Sequence, residues 1–389
     1  MNGATMTRLR DLGDWSGGNT PSKANAAYWT DGTIPWVSPK DMKVDEITSS
    51  EDRVSEVALK QGRVSIVPEG SVLVVTRSGI LSHTLPVAVT KTPVTINQDL
   101  KALTLKPGFL PKYVAHALRG ASRRILKECS KHGTTVASIE TNALLGFEIP
   151  LVALDEQRRI VAELEKQFSR LDEAVTNLKR VRANAQHFER ATIQALTSSS
   201  SFSAKVVGTI ADIAISLDNM REPVNKTERV KRVGTIPYLG ANGQTGWIDE
   251  ARFDEELVLV VEDETFVGRK LPFSYYFLGK CWVNNHTHVL RARRDLVIPK
   301  YLNLALSYYP FIPLTTGSTG RRKLTKAALM LAPIEVPDVV TQRRIVAEVD
   351  RRLSIVREVA AEADANLKRA SALRESVLVQ AFGCRATAV

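Results

Sequence analysis

Two segments of the chain combine a narrow apolar seam with otherwise charged positions. In the first segment the apolar residues recur at spacings of three and four; they are Ile160, Leu164, Phe168, Leu171, Val175 and Leu178. The second segment repeats this pattern with Ile345, Val349, Leu353, Val356, Ala360 and Ala363. Neither residues 155–196 nor residues 340–382 contain Pro or Gly. The spacing predicts two long amphipathic helices whose seam is as narrow as that of a coiled coil.

Both predicted helices begin with the same seven residues. The sequence Gln-Arg-Arg-Ile-Val-Ala-Glu occupies residues 157–163 and returns at residues 342–348. Each copy follows a hydrophobic residue and a proline, at 149–150 and at 336–337. An identity of this length at two matching places indicates an internal repeat, in which a globular domain followed by a long helix occurs twice.

The seam of a helix of this length has to be covered. About 40 residues at about 1.5 Å each make a helix about 60 Å long, so we expect the two helices to pair along their seams. The alternative is that each helix packs on its own globular domain. Because the second domain folds at the far end of the first helix, the second helix must run back to pair with it. We therefore predict antiparallel helices, related by a pseudo-two-fold axis, with one domain at either end of a rigid spacer.

The predicted fold class is α+β, with two mixed α/β domains separated by the two helices. We place the first domain at residues 1–152, the first helix at 153–199, the second domain at 200–338 and the second helix at 339–389. A Ser-rich linker, residues 197–203, ends the first helix. Similar landmarks keep their order in the two domains; they pair residues 34–38 with 236–240, 71–75 with 256–261, 96–98 with 283–285, 110–113 with 298–301 and 133–135 with 317–323.

The composition favours a polyanionic partner. The 389 residues are 44% apolar, enough for cores in two or three domains, and carry a formal net charge of +11. This charge favours nucleic acid before an anionic membrane, and a basic protein without such a partner is the alternative. The sequence contains no stretch of 18 apolar residues, so we expect no segment to span a membrane. Residues 1–10 lack the apolar core of a secretory signal. Three scattered cysteines, Cys129, Cys281 and Cys384, favour a reducing cytoplasm.

Signatures of catalysis are missing from the sequence. It contains no phosphate-binding loop, dinucleotide-binding glycine motif, nucleophile elbow or Asn/Asp-Pro-Pro-Tyr/Phe methyltransferase signature. The sequence therefore offers no candidate catalytic residues and no cofactor-binding motif. Two clusters could suggest a metal, namely His286 and His288 with Cys281, and residues 262–264, Glu-Asp-Glu. We interpret the histidines, which lack a second ligand pair, as sharing one face of a strand, and the acidic residues as a solvated loop after a strand.

Nucleic-acid binding accounts better for the polar residues, because basic side chains neutralise phosphates while amide, hydroxyl and guanidinium groups read base edges. The candidates in the first domain are Lys40, Arg77, Ser78, Arg123, Arg124, Lys131, His132, Thr134 and Thr135. Those in the second domain are Arg229, Lys231, Arg232, Asn242, Gln244, Arg269, Lys270, Arg321, Arg322 and Lys323. The arginines that open the two long helices are expected to orient domain against helix or to bind a partner; they are Arg158, Arg159, Arg343 and Arg344.

Taken together, these motifs resemble a known family. Two non-identical domains, each with an Ile-Pro-Trp/Tyr segment and each followed by the repeated heptapeptide and a long helix, look like the specificity subunit of a type I restriction-modification system. The resemblance covers essentially the whole chain. Residues 17–42 are similar to one class of target recognition domain in that family, and residues 236–243, 261–264 and 283–290 are similar to another. One departure is Asp263-Glu264, where the family often has Asp-Gly.

The resemblance implies a non-catalytic subunit that binds double-stranded DNA in the cytoplasm. Each recognition domain is expected to read one half of a bipartite, asymmetric site. The paired helices are expected to set the unspecified spacer and to dock two methyltransferase subunits, which restriction subunits join. S-adenosylmethionine, ATP and Mg are expected in those partner subunits.

Two other interpretations remain open at this point. The chain could be a stand-alone DNA methyltransferase or nuclease with atypical motifs, which S-adenosylmethionine binding or DNA cleavage by the purified chain would reveal. It could also be a coiled-coil scaffold with no role on DNA, which salt-dependent DNA binding by the complex would exclude.

Overall fold

The computed structural model describes residues 4–131, 136–198, 205–264, 266–317 and 322–382. The chain forms two compact units, of which the first contains residues 1–177 and 366–389 and the second contains residues 178–365. Each unit therefore combines one strand-rich domain with a part of both long helices.

The first unit is built mainly from short strands. Its helices are α1 (Glu56–Lys60), α2 (Pro111–Gly120), α3 (Ser122–Glu128) and α4 (Thr141–Gly146). Its strands are β1 (Thr5–Arg8), β2 (Gly13–Gly17), β3 (Ile34–Val37), β4 (Glu46–Ile47), β5 (Asp52–Val54), β6 (Val72–Val75), β7 (Val87–Thr90), β8 (Thr95–Ile96), β9 (Leu100–Leu105) and β10 (Glu148–Leu151). They form a mixed sheet of order β2-β9-β6-β7-β4, a second sheet of order β5-β3-β8, and the antiparallel pair β1-β10.

The second unit is reached through the long helix α5 (Leu154–Thr197) and left through the long helix α10 (Val339–Phe382). Its shorter helices are α6 (Ile210–Ile213), α7 (Lys226–Lys231), α8 (Pro299–Ser307) and α9 (Lys326–Met330). Its strands are β11 (Lys205–Thr209), β12 (Ala214–Ser216), β13 (Ile236–Gly240), β14 (Gly243–Ile248), β15 (Phe253–Val261), β16 (Asp263–Glu264), β17 (Ser274–Val283), β18 (Thr287–Ala292), β19 (Arg322–Lys323) and β20 (Pro333–Pro337). The main sheet has the order β12-β18-β15-β17-β13-β14, and β16-β19 and β11-β20 are separate pairs.

The strand pairing confirms the internal repeat. In each unit the first strand pairs antiparallel with the strand that leads into a long helix, β1 with β10 and β11 with β20. The Ile-Pro-Trp/Tyr strand of each unit, β3 or β13, pairs in parallel with a later strand, β8 or β17. Strand β17 also pairs antiparallel with β15, as β7 does with β6. One long strand in the second unit therefore takes the place of two short ones in the first.

The landmark Leu/Ile-Pro-Lys-Tyr forms the same helix start in both units. Pro111 and Pro299 occupy the first turn of α2 and α8, where the missing N–H costs nothing and the fixed φ suits a helix. The tyrosines that follow, Tyr113 and Tyr301, are fully buried. Each landmark thus sets the start of a helix and supplies a large side chain to the core behind it.

The long helices pack on each other within each unit. In the second unit, Arg182 of α5 forms an ion pair with Asp364 of α10, and Ile193 lies in a buried cluster with Val349 and Leu353. Partners on α10 therefore move towards its start as α5 advances, which confirms the antiparallel prediction. Within the described residues, neither these helices nor any other is long and apolar enough to cross a membrane.

The seam also contributes to the core of the first domain, so the two packing alternatives are not exclusive. Leu164 and Phe168 of α5 belong to that core, together with Leu378 and Phe382 near the end of α10. The ring of Phe382 meets that of Tyr113 edge to face, with centroids 5.2 Å apart. A narrow seam can serve both purposes because residues at successive turns face either the partner helix or the domain.

Candidate nucleic-acid interface

An equivalent polar surface lies at the strand ends of each unit. In the first unit, the carbonyl of Thr76, just past β6, accepts a hydrogen bond from the Ile139 N–H at 2.8 Å, and Arg77 pairs with Ser138 across an antiparallel bridge. In the second unit, the carbonyl of Glu262 accepts from the Leu324 N–H at 2.8 Å, and β16 pairs with β19. We call the surface around Arg77 and Ser138 in the first unit, and the surface around Asp263 and Lys323 in the second, the strand-end surfaces.

An asparagine turn supports both strand-end surfaces; Asn97 is buried and Asn284 is half-buried. The Oδ1 of Asn97 accepts from the Asp99 N–H at 3.1 Å, and the Oδ1 of Asn284 accepts from the His286 N–H at 2.9 Å. The asparagine N–H groups donate to the carbonyls of Val37 and Leu239, both at 2.9 Å. Side-chain carbonyls that cap their own turn in this way fix the backbone of the residues that follow.

The structure brings several candidates of the first unit to its strand-end surface. Arg77 and Ser78 follow Thr76 just past the end of β6, and the Lys131 N–H donates to the Ser138 carbonyl at 2.8 Å. Pro39 lines the same hollow as Arg77 and Ser78, and Lys40 follows Pro39 in the sequence. The ammonium of Lys40 pairs with Glu51 and Asp52 at 3.2 and 2.9 Å.

Arg123 and Arg124 serve the packing of α3. Arg123 forms an ion pair with Glu375 of α10 at 2.6 Å. Arg124 lies over the ring of Phe147, 4.9 Å from its centroid, and pairs with Glu128 one turn later. Both arginines thus have carboxylate partners, and Arg123 connects α3 to the end of α10.

A second group of candidates gathers at the strand-end surface of the second unit. Arg269 donates to the Oδ1 of Asn242 at 2.9 Å, and the Nδ2 of Asn242 donates to Glu264 of β16 at 3.0 Å. Arg322 donates to the hydroxyl and carbonyl oxygens of Thr315 at 2.6 and 2.9 Å. Lys323 pairs with Glu262 at 3.3 Å. These contacts fix Arg322 and Lys323 of β19, and they connect Asn242 and Arg269 to Glu264 of β16.

The remaining candidates of the second unit lie around α7 or stand exposed. Arg229 and Arg232 lie over the rings of Tyr238 and Trp282, each 4.6 Å from the centroid, and Arg232 also pairs with Asp249 at 2.7 Å. The exposed candidates are Lys231, Gln244 and Lys270. Four further candidates, His132, Thr134, Thr135 and Arg321, lie outside the described residues.

A buried charge network supports the strand-end surface of the second unit, and it corrects the interpretation of the acidic residues. Glu262 is 8% exposed, not solvated, and Asp263-Glu264 form strand β16. Arg221 donates to Glu262 at 2.5 Å and to the Thr287 carbonyl at 2.7 Å. Glu262 can be buried because its charge is opposed by the largely buried Arg221 as well as by Lys323.

The two histidines do not share a strand face, which corrects a second interpretation. His286 lies in the turn before β18, and its Nδ1 is 3.5 Å from Asp263. His288 lies on β18 and is fully buried, with Nδ1 2.6 Å from Asp218 and Nε2 2.8 Å from the Leu324 carbonyl. The turn at residues 284–286 breaks the alternation that an unbroken strand would have imposed.

Three of these side chains, Asp218, Glu262 and His288, have potential metal-ligand atoms within 4.8 Å of one another. The cationic Arg221 contacts both carboxylates, and both ring nitrogens of His288 face hydrogen-bond acceptors. The arrangement suits an ion-paired, hydrogen-bonded network that anchors the chain at Leu324. Burial acts to raise the pKa of Asp218, but the hydrogen bond and charge of His288, with help from Arg221, hold that pKa below its usual value.

The arginines that open the long helices point to solvent. Arg158 and Arg159 pair only locally, with Asp155 and Glu156, and Arg343 and Arg344 are exposed. None of these contacts joins a helix to its domain in the part of the chain that the structure describes. Two roles were expected of these arginines, orienting the domain against the helix or binding a partner. Because they are exposed, we retain only the binding of a partner as a prediction.

The residue that fastens each domain to its helix is the first residue of the heptapeptide, which the sequence analysis missed. Gln157 is 1% exposed; its Oε1 accepts from the Leu110 N–H and its Nε2 donates to the carbonyls of Gly108 and Val152. Gln342 repeats these bonds with the Ile298 N–H and with the carbonyls of Leu296 and Pro337. The repetition of Gln at both helix starts was the available signal.

Replacing Gln157 with alanine is expected to cost about 1–3 kcal/mol in the free energy of unfolding of the first unit, because a buried N–H and two carbonyls lose their partner. Chemical denaturation followed by circular dichroism measures the loss. The control is Gln167→Ala on the same helix, where the side chain is exposed and bonds only Glu163, with an expected change within about 0.5 kcal/mol. Equal losses in the two variants would contradict the fastening role.

Comparisons with known proteins agree with this architecture. The family model of the type I restriction modification DNA specificity domain matches residues 1–180 and 204–356. The chain is similar to the specificity subunit of the Escherichia coli type I restriction enzyme EcoR124I/EcoR124II, with 41% identity over 168 residues that cover 43% of this chain and 41% of that subunit. It is also similar to the MjaIX specificity subunit of Methanocaldococcus jannaschii, with 31% identity over 45% of this chain and 39% of that subunit. These alignments span about two fifths of the relatives' own length.

Solved structures show the same fold. A chain from a structure describing complex assembly and conformational transition of a type I restriction-modification system matches with a TM-score of 0.75 and 17% identity, over 98% of both chains. The HsdS subunit of Thermoanaerobacter tengcongensis matches with a TM-score of 0.51 and 18% identity, over 98% of this chain and 97% of that one. The family model matches well over half of the chain and so confirms the resemblance of the motifs: the chain belongs to the type I restriction-modification DNA specificity family.

Proposed function

We propose that this chain is a non-catalytic subunit that gives a type I restriction-modification complex its DNA sequence specificity. Each unit reads one half of a bipartite, asymmetric site in double-stranded DNA. The observation that carries the proposal is that two copies of one frame present different polar residues at matching positions. Arg77 and Asp99 occupy the strand-end surface of the first unit where Asp263 and His286 occupy that of the second. A repeated frame with changed surface chemistry suits the recognition of two different base sequences.

The charge of the chain supports DNA as the ligand. Its formal net charge of +11 favours a polyanion. The exposed candidates Lys131, Lys231 and Lys270 suit contacts to phosphate oxygens, which position a protein on the duplex. The guanidinium and amide groups near the strand ends suit contacts to base edges, which specify sequence.

Exposed apolar residues on the long helices support the docking of partner subunits. In the second unit these residues include Val181, Phe188, Ile355 and Val359, which are 39%, 50%, 58% and 46% exposed. Side chains of this kind on otherwise charged helices suit a partner helix. The exposed Arg158, Arg159, Arg343 and Arg344 add charge at the helix starts. We propose that two methyltransferase subunits, and restriction subunits with them, assemble on the chain.

The chemistry of the complex is assigned to those partners. S-adenosylmethionine, ATP and Mg are proposed to bind there, because the motifs that hold such groups are missing from this sequence.

The cytoplasm is the proposed compartment. Cys129 and Cys281 are buried free thiols. Burial raises the pKa of Cys129 to about 11 and that of Cys281 to about 12, so both stay in the unreactive thiol form.

Mapping the methylated bases of the native genome, with and without this chain, tests the proposal. We expect one bipartite sequence pattern to lose its methylation when the chain is removed and to regain it when the chain is restored. DNA binding by the assembled complex should also weaken steeply with salt, as counterion release requires. A methylation map that does not change on removal of the chain would contradict the proposed function.

A further inference from the structure

Arg77 is held more rigidly than a surface arginine needs to be. Its N–H and that of Thr76 donate to the Asp99 carbonyl at 3.2 and 2.7 Å, and the next N–H, of Ser78, donates to the Ala137 carbonyl at 3.0 Å. The backbone is thus fixed from two sides, by the turn before β9 and by the chain at residues 137–138. The position of the Arg77 Cα, from which the side chain extends, is therefore fixed.

The side chain of Arg77 is clamped as well. Its Nε donates to the Oδ1 of Asp99 at 2.6 Å. The other carboxylate oxygen of Asp99 accepts from the Nδ2 of Asn97 at 3.1 Å, and Asn97 is 5% exposed. A buried amide therefore orients the carboxylate, and the carboxylate orients the guanidinium.

The far end of the guanidinium remains available. The Arg77 side chain is 55% exposed, whereas that of Asp99 is 19% exposed. Within the described residues of the first unit, no group hydrogen-bonds its Nη1 or Nη2. Arg77 borders an open hollow of about 520 Å³; the other lining residues are Pro39, Ser78, Asp99, Val136 and Ser138.

We propose that Arg77 reads a guanine in the half-site bound by the first unit, and that Asp99 is its positioning residue. The inference rests on the proposed function. A guanidinium whose Nε is engaged keeps two Nη groups, which match the O6 and N7 acceptors that guanine presents in the major groove. Ordering the side chain before binding removes part of the entropy cost of that contact.

The carboxylate of Asp99 favours a base over a phosphate as the partner of Arg77. A phosphate at the Nη groups brings a negative charge close to Asp99, and like charges in a partly desolvated site repel. The O6 and N7 of guanine are neutral acceptors and escape that repulsion. The pair thus lowers the affinity of Arg77 for the backbone while leaving its hydrogen-bond donors in place.

The matching position in the second unit has the opposite polarity. Asp263 faces Lys323 in the β16-β19 register as Arg77 faces Ser138, and its partner His286 follows Asn284 as Asp99 follows Asn97. An acceptor thus stands where the first unit has a donor. The frame is kept and the reading group is changed, as two different half-sites require.

The experiment measures binding of the assembled complex to duplexes in which each guanine of the first unit's half-site is replaced in turn by 7-deazaguanine, which lacks N7, or by inosine, which keeps O6 and N7. The wild-type complex is expected to lose about 5- to 100-fold in affinity at one guanine on 7-deaza substitution, and to be unaffected there by inosine. Arg77→Ala is expected to bind the natural duplex at least as weakly as the wild type binds the 7-deaza duplex, because it loses the O6 contact as well as the N7 contact. It is expected to show no further loss on 7-deaza substitution.

Three variants complete the design. Asp99→Ala is expected to reduce the ratio between natural and 7-deaza duplexes, which a merely structural role would leave unchanged. Arg77→Lys is expected to recover only part of that ratio, because an ammonium lacks the planar fork. The matched control is Arg8→Ala, since Arg8 is also exposed and carboxylate-paired, with Glu148; its ratio should equal that of the wild type.

Each other outcome is decisive. A half-site without guanine, or full discrimination retained by Arg77→Ala, would overturn the inference while leaving the proposed function intact. Equal weakening on all duplexes together with a salt slope reduced by about one would place Arg77 on a phosphate. An unchanged ratio in Asp99→Ala would overturn the positioning role. A wild-type complex with no sequence preference at all would instead overturn the proposed function.

Discussion

Replacing Arg221 with methionine is expected to lower the free energy of unfolding of the second unit by about 3–5 kcal/mol. Arg221 contacts Glu262 at 2.5 Å and Asp218 at 3.5 Å, and these three side chains are 13%, 10% and 7% exposed. Methionine fills a similar volume but leaves two largely buried carboxylates, of which Glu262 keeps Lys323 and Asp218 keeps His288 as a partner. Chemical denaturation of the purified chain measures the loss.

The pH dependence of this loss identifies its cause. The pKa of Asp218 is lowered in the folded chain, so its contribution to stability is fully present above its unfolded pKa of about 3.9. That contribution is lost as the pH falls through the lowered folded pKa. Without Arg221 part of the lowering disappears, and Asp218 accepts its proton at higher pH. The stability deficit of Arg221→Met is therefore expected to shrink as the pH falls from neutrality towards about 4.

The control for this experiment is Arg291→Met in the same unit. Arg291 pairs with Glu255 at 2.5 Å, but the side chains are 45% and 27% exposed. An exposed pair contributes at most about 1 kcal/mol. A loss in Arg221→Met no larger than in Arg291→Met, or one that does not change with pH, would show that the network is not an essential support of the second unit.

The long helices were the part of the fold most readily predicted. The seam predicted helices over residues 155–196 and 340–382, and the structure has them at Leu154–Thr197 and Val339–Phe382. The seam keeps its period over about five turns of each helix, and the lack of Pro and Gly extends the prediction to the helix ends. The landmarks of the two domains were equally informative, because two copies of each pattern test one another.

Polar residues with distant partners were predicted less well. Glu262 belongs to an acidic run that follows a buried strand, and such a pattern predicts a solvent-exposed residue. Its burial depends on Arg221, which lies 41 residues earlier in the sequence. Gln157 stands in a run of charged residues, and local pattern places such a polar residue on the solvent side of a helix. Its role depends on backbone groups of residues 108–110, which only the folded chain brings to the helix start.

The strand-end candidates lie between these two cases. Composition and repetition predicted that both domains carry DNA-binding residues, and these assignments stay predictions. The sequence could not tell that Asp99 clamps Arg77 or that Asp263 takes the matching place, because both facts depend on turns after Asn97 and Asn284. Side-chain type was readable from the sequence, whereas register was not.

The largest functional effect is expected from exchanging residues 204–335 for the second domain of another family member. The chimera keeps the frame and the strand-end surface of the first unit. It also keeps Gln342 and the other residues that start α10, because they lie outside the exchanged segment. We therefore expect the half-site read by the second unit to be replaced entirely while the other half-site stays unchanged. The matched control exchanges the same residues between two chains that share a half-site, and should change nothing.

Methylation mapping of cells that carry the chimera tests the central claim, that each unit reads its own half-site, most directly. The account predicts a new bipartite pattern in which one half is that of the native chain and the other half is that of the donor. A pattern in which both halves change, or an assembled and active chimera in which neither half changes, would contradict it.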